Sequence, residues 1–225
     1  MRRLVWTVVV LAVLAGGAYL VDSLMRDQAE QRVAAEVEQA IPGVEQPPDV
    51  TIEGFPFLTQ VAAGELSSVR LAAPAATVDG LRLEDVVVRV HGVGTTAPYT
   101  AETAEMTALV TPDAAEAALG LSGLDLGVRD GELIATASAL GLPLDVAMSV
   151  RAEGQEVVVD VVGFVLGGFR VDSGELPAEI TAQLQGLRIA ITGLPATMNL
   201  TGATVVDDGI RLEAAGADLA LSAAG

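Results

Sequence analysis

Apolar and polar residues alternate most cleanly between Leu142 and Arg151. Leu142, Leu144, Val146, Met148 and Val150 fall on one side, and Pro143, Asp145, Ala147, Ser149 and Arg151 on the other. A period of two describes a strand with one buried and one wet face. Leu187, Ile189 and Ile191 repeat the pattern over a shorter run. Leu81 and Leu83 begin a strand on one parity, and Val86, Val88 and Val90 continue it on the other. That switch at Glu84-Asp85 predicts a β-bulge and a bend. Ile210, Leu212 and Ala214 give way in the same manner to Ala217, Leu219 and Leu221 across Gly216. Val157, Val159, Val161 and Val165 share one parity, while Val158, Val162 and Phe164 are apolar on the other. This predicts a strand covered on both faces, in the middle of a wrapped sheet. Asp79-Gly80, Asp130-Gly131 and Asp208-Gly209 each precede a strand-like run. Asp-Gly supplies the positive φ angles of tight hairpins, so the body from Val50 onward is expected to be an antiparallel meander.

Helical spacing is confined to a few segments. Ala29, Val33, Val37 and Ile41 recur every fourth position within Ser23 to Ile41, and Pro42-Gly43 ends the run. The apolar stripe is narrow, which favours one-sided packing on the body over a free stalk. Pro47-Pro48 stiffens the connector that follows. Thr111-Pro112-Asp113 caps a short helix over Ala114–Leu119, Leu176–Leu184 forms another, and Leu58–Gly64 makes a single turn. The expected class is α+β: a curved, mostly antiparallel β-sheet wrapped around a long N-terminal helix.

Ahead of that helix, Leu4 to Val21 runs for 18 positions without a charge, between Arg2-Arg3 and Asp22. At ~1.5 Å per residue the run spans ~27 Å, close to the ~30 Å of a bilayer core. Trp6 and Tyr19 sit near its two ends, and the arginine pair orients the short N-terminal side toward the cytoplasm. Two fates fit: an uncleaved signal anchor, or a signal peptide cut near Gly16-Gly17-Ala18. In both, residues 1–22 are the targeting segment. Residues 23–225 are then one domain on the extracytoplasmic side, in the envelope or periplasm, anchored to the cell membrane or secreted.

Charge separates the two parts. The chain has 225 residues, with 30 acidic and 12 basic ones, all of the latter arginine, and a net charge of -18. Beyond residue 21 the balance is 30 acids against 10 arginines, a net of -20. Such a body has no general attraction to anionic lipid and no basic face for phosphate backbones, so nucleic acid is not an expected partner. Apolar residues make up 51% of the chain, too many for a disordered segment. The absence of cysteine excludes disulfides, thiol catalysis and Cys-based metal centres. No cofactor is expected.

Catalytic patterns are equally sparse. The one histidine, His91, lies on the Arg89 parity of its strand and reads as a rim residue. Asp207-Asp208 reads first as a turn and only secondarily as a cation site. Gly120-Leu121-Ser122-Gly123 lacks the spacing of a nucleophile elbow, and Gly92-Val93-Gly94 lacks the continuation of a phosphate loop. The chain is not expected to be an enzyme; a glycolipid-directed hydrolase or transferase is the remote alternative.

The most distinctive block is Gly54-Phe55-Pro56-Phe57-Leu58-Thr59, which holds two of the chain's four phenylalanines. Two readings stay open: a plug closing one end of the sheet, or an apolar lip that meets lipid.

The longer segment Asp49-Val50-Thr51-Ile52-Glu53-Gly54-Phe55-Pro56-Phe57-Leu58-Thr59-Gln60 resembles the opening of the LmeA-like envelope proteins of actinobacteria. Asp208-Gly209-Ile210-Arg211-Leu212-Glu213-Ala214-Ala215-Gly216 resembles their close, and the order of elements also agrees. The resemblance covers about Asp22 to Leu221 and is specific only in the first block. It implies a phospholipid-binding protein of the cell envelope, linked to lipoglycan biogenesis, with a fold related to the tubular lipid-binding folds. It transfers no catalytic motif and no set of lipid contacts.

Lipid contacts are read from the residues instead. Leu133 is followed on its parity by Ala135 and Ala137, and a wall of small residues leaves room for an acyl chain. Each buried CH₂ contributes ~0.8 kcal/mol, so a 16-carbon chain gains ~12 kcal/mol gross, close to what the bilayer offers it. The expected contacts are Phe55, Phe57, Leu58, Leu133, Ala135, Ala137, Leu144, Val146, Met148 and Phe164. The expected partners are a phospholipid or other acyl lipid, held or transferred, and the cytoplasmic membrane through residues 4–21. A structural or interaction β-domain without lipid cargo is the alternative.

Overall fold

The computed structural model describes residues 2–40, 43, 46–78, 80–119, 125–139, 142–166, 169–172, 187–191 and 194–220, the side chains of residues 2–15, 40, 119, 137–139, 142, 143, 166 and 187 excepted. Three helices accompany twelve strands among them: α1 (Arg2–Ala40), β1 (Asp49–Glu53), α2 (Phe57–Ala63), β2 (Glu65–Val78), β3 (Leu81–Gly94), β4 (Thr100–Val110), α3 (Pro112–Leu119), β5 (Asp125–Arg129), β6 (Glu132–Ala139), β7 (Leu142–Glu153), β8 (Glu156–Leu166), β9 (Phe169–Asp172), β10 (Leu187–Ala190), β11 (Met198–Val206) and β12 (Gly209–Ala220). The class is α+β. The expected helix over Leu176–Leu184 lies outside the described residues.

Two sheets form, and every strand pair is antiparallel. The first runs β1-β2-β3-β4-β12-β11; the second runs β10-β8-β7-β6-β5, with β9 also on β8. Two-residue loops set the registers: Val78 pairs with Leu81, Arg129 with Glu132, Glu153 with Glu156 and Val206 with Gly209. The third Asp-Gly dipeptide differs from expectation, because Asp207-Asp208 makes the loop and Gly209 begins the strand. Asp130 and Gly131 take φ values of 55° and 76°, as a primed hairpin turn requires. A Cβ on Gly131 would meet no atom within 4 Å. Gly131→Ala therefore isolates the backbone term and should cost about 1–2 kcal/mol in urea unfolding.

The bulge expected at Glu84-Asp85 is present. Asp85 has φ 49°, and the β3–β4 register slips between Glu84 and Val87. In β12 the buried set changes from Ile210, Leu212 and Ala214 to Leu219. The residue with left-handed φ there is Asp218, at 52°, two positions beyond the expected Gly216. Gly216 has a different reason to be glycine: a Cβ would lie 2.6 Å from Met198 Cγ and 2.7 Å from the Thr197 carbonyl. β8 sits between β7 and β10, and Val158 is as fully buried as Val159 on its other face.

One face of the first sheet carries the core. The row Ile52–Val69–Val90–Ala104–Gly216–Met198 crosses all six strands through successive register pairs. Over β3, β4, β12 and β11 this face packs with Leu126, Leu133, Ala135, Met148, Val157, Val159 and Val161 of the second sheet. Over β1 and β2 it packs with Ala29, Val33 and Ala34 of α1 and Phe57 of α2. Val93 touches both clusters. The expected picture of a sheet wrapped around the helix is corrected here. Ala29, Val33 and Ala34 are too few and too small to cover six strands, so α1 covers one end and the second sheet covers the rest. The expected one-sided packing of the helix is what forms.

α1 also starts earlier than the apolar spacing predicts, running through the uncharged segment without a break. Among the described residues no helix is long and apolar enough to cross a membrane. The side chains of residues 1–15, where most of that uncharged segment lies, are outside the described set.

Candidate functional site

The Phe-Pro-Phe-Leu block is held by α1. Pro56 stands at the N-cap position of α2 and offers no side-chain cap, so the first backbone N–H groups of that helix need another acceptor. Asp22 of α1 supplies it: Oδ2 accepts from Phe57 N–H at 3.0 Å and Oδ1 from Leu58 N–H at 2.8 Å. Asp22 is only 3% exposed. One turn on, Arg26 Nη2 lies 3.5 Å from Asp22 Oδ2 and donates to the Gly54 carbonyl at 3.0 Å. One further turn on, Glu30 Oε1 accepts from Ile52 N–H at 2.7 Å, on edge strand β1. Positions 22, 26 and 30 share one helix face, and Ala29, Val33 and Ala34 adjoin it. Burial pushes the Asp22 carboxyl up, but the Leu58 and Phe57 N–H donors and Arg26 outweigh it and hold the group below the usual aspartate value. Sequence reasoning missed this clamp. Its signal was an acid, an arginine and an acid at four-residue spacing directly after an uncharged run.

The structure buries one phenylalanine of the block and exposes the other. Phe57 is 6% exposed and packs with Val50, Ile52 and Val69. Phe55 is 62% exposed, and its ring meets that of Tyr19 at a centroid distance of 5.7 Å. Leu58 and Val61 on α2, and Tyr19, Leu20, Leu24 and Met25 on α1, are also exposed. These residues form an apolar collar where the uncharged segment of α1 joins the body. Isolated exposed apolar residues are ordinary; this many within one stretch of α1 and the start of α2, on a body this acidic, are not.

The residues expected to form an acyl wall lie together on another part of the molecule. Leu133 pairs with Met148, Ala135 with Val146 and Ala137 with Leu144 across β6–β7, and Val146 pairs with Phe164 across β7–β8. Leu133, Ala135 and Met148 are buried in the larger cluster, with Val146 and Phe164 half-buried against it. Leu144 is half-buried, and the side chain of Ala137 lies outside the described residues. The wall faces the first sheet and not the Phe block, which belongs to the smaller cluster. A groove of about 110 Å³ lies beside β5 and β6, lined by Asp125, Gly127, Val128, Arg129, Ile134 and Thr136. It is polar, and small against the ~300–1,000 Å³ of ordinary ligand pockets. There Asp145 accepts from Arg129 at 2.9 Å and Thr136 at 2.8 Å.

The remaining candidates carry less. His91 is half-buried on β3 between Ser68 and Thr103. Asp207-Asp208 makes a hairpin loop, and among the described residues no three His, Asp or Glu side chains gather to hold a metal. No curated protein and no solved structure matches the chain. The family model described as LmeA-like phospholipid-binding matches residues 20–215, from the collar through the turn of β12, and the chain belongs to that family.

Proposed function

We propose that this chain binds phospholipid at the outer side of the cytoplasmic membrane, tethered through residues 4–21 and presenting the collar to lipid. Family membership over residues 20–215 is the observation that carries the reading. The geometry supports it in one respect. Among the described residues most of the large exposed apolar side chains gather at the foot of the uncharged segment, where a tethered body would meet the bilayer, while Tyr99, Phe169 and Val171 lie elsewhere. Phe55, Leu58 and Val61 enter the headgroup region; Phe57 does not, because it is spent on the core. The acyl chain reaches the half-buried margin of the β6–β8 wall, Leu144, Val146 and Phe164, while Leu133, Ala135 and Met148 are taken up by the core between the sheets. The same arrangement suits a lipid carrier in lipoglycan or other envelope biogenesis. No catalytic step is assigned.

Native mass spectrometry of the full chain, released from membranes in a neutral glycoside detergent, tests this. A bound species with the mass of a phospholipid is expected. Phe55→Ser/Leu58→Ser should weaken phospholipid binding in that measurement by at least about tenfold, since it removes two apolar side chains worth ~1.5–3 kcal/mol each when buried. A chain that carries no phospholipid, or carries as much of it after that double change, would end the proposal.

A further inference from the structure

The outer face of the first sheet, opposite the core, carries an arrangement that lipid binding through the collar does not use. Arg70 on β2 and Arg89 on β3 are direct cross-strand partners. Two residues away on the same face, Ser68 and His91 are direct partners as well. Like charges placed opposite each other on a sheet repel. The usual remedy is a carboxylate, and this chain has 30 acids for its 12 arginines. Elsewhere the remedy is used: Arg129 meets Asp145 at 2.9 Å, Arg151 meets Asp160 at 3.1 Å, Arg170 meets Glu132 at 3.1 Å and Arg188 meets Glu156 at 2.6 Å. Arg70 and Arg89 have no ion pair or hydrogen bond from their side chains among the described residues. Glu105 stands across from Arg89 and Glu53 across from Ser68, yet neither forms a salt bridge with the pair.

Two of the polar atoms at this place are also buried without partners. Ser68 is 5% exposed, and its hydroxyl has no hydrogen bond; Arg70 Nε is in the same condition. A buried polar atom left unpaired is costly, so two of them beside two guanidinium groups that make no salt bridge mark a missing acceptor. The acceptor has to be negative, compact and rich in oxygen to serve two arginines, a hydroxyl and an imidazole together. A phosphate group meets that description, because a guanidinium fork matches its oxygens in pairs.

We propose that Ser68, Arg70, Arg89 and His91 form a binding site for one phosphate group, carried by a lipid headgroup or by free phosphate. The headgroup source rests on the phospholipid reading above; the site itself does not. Arg70 and Arg89 hold the charge, the Ser68 hydroxyl donates to an oxygen between them, and His91 closes the Thr103 side.

The test is a titration of the full chain in neutral glycoside detergent with inorganic phosphate, followed by ³¹P and amide NMR. Saturable binding is expected, weakened at least about tenfold in Arg70→Gln/Arg89→Gln and unchanged in Arg188→Gln. The double change removes a repulsive pair, so the fold should persist, and circular dichroism checks it. That outcome supports the site even if the native chain takes up no lipid. Phosphate binding that is absent, or equal in native chain and double variant, overturns the site even if lipid is taken up. Short-chain phosphatidic acid, below its micelle concentration, separates the sources. Competition with phosphate assigns the site to a headgroup, and phosphate binding without competition assigns it to free phosphate; both support it.

Discussion

Phe57→Ala is expected to lower the unfolding free energy by about 3–5 kcal/mol, as truncation of a buried phenylalanine usually does. The ring is 6% exposed and fills the small cluster made by Val50, Ile52 and Val69 under Ala29, Val33 and Ala34. Its neighbours on α1, Ala29, Val33 and Ala34, are short side chains and cannot swing inward to close the gap. Urea unfolding followed by far-ultraviolet circular dichroism measures the loss. Phe55→Ser, two positions earlier, is the control, because its ring is mostly in solvent. It should move stability by no more than about 0.5 kcal/mol while reducing the phospholipid that the chain carries. Equal stability of the Phe57→Ala and native chains would refute the assignment of this ring to the core. Loss of folding in Phe55→Ser would refute its assignment to the collar.

Asp22→Asn should lower the thermal midpoint by roughly 5 °C or more near neutral pH, since two helix-cap bonds and the Arg26 contact depend on this carboxylate. The amide keeps the size and one acceptor oxygen but loses the charge. The pH dependence carries its own sign. The carboxyl is held below its ordinary value in the folded chain, so folding favours the ionised form. The contribution is full above the unfolded value of ~3.9 and is lost as pH falls through the lower, folded value. The gap in midpoint between native chain and variant is therefore largest at pH 6–7 and narrows below about pH 4. Melting curves across that range decide the matter; a gap of the same size at pH 3 and pH 7 would show that the carboxylate charge plays no part.

Most strands were legible because one face of each is buried, and burial writes a period of two into the sequence. Leu142–Arg151 is the clearest example, and it lies within β7. The bulge at Glu84-Asp85 was legible for the same reason, since it moves the buried set to the other parity. What alternation cannot state is which apolar face meets which. Leu133, Ala135 and Met148 read equally well as the wall of a hollow or as half of a sheet-on-sheet core, and only the position of the first sheet shows that they pack against it. The Phe block was conspicuous by composition, yet the burial of one phenylalanine and the exposure of the other depend on the path of Gly54-Phe55-Pro56 and on a helix some 30 residues earlier. The Asp22 clamp was obscured because a first acid after an uncharged run looks like the end of that run. Arg70 and Arg89 were invisible as a pair until the β2–β3 register placed them opposite each other.

The unbroken course of α1 from Arg2 to Ala40 has a mechanical result. With no loop between its uncharged half and the half fastened to β1 and α2, twist is transmitted from one to the other as along a drive shaft. Inserting a single residue between Val21 and Asp22 would turn the acidic body by ~100° about the shaft and advance it by ~1.5 Å. The azimuth at which the collar faces is thus dictated by residue count, and whatever grips the leading half steers the trailing one.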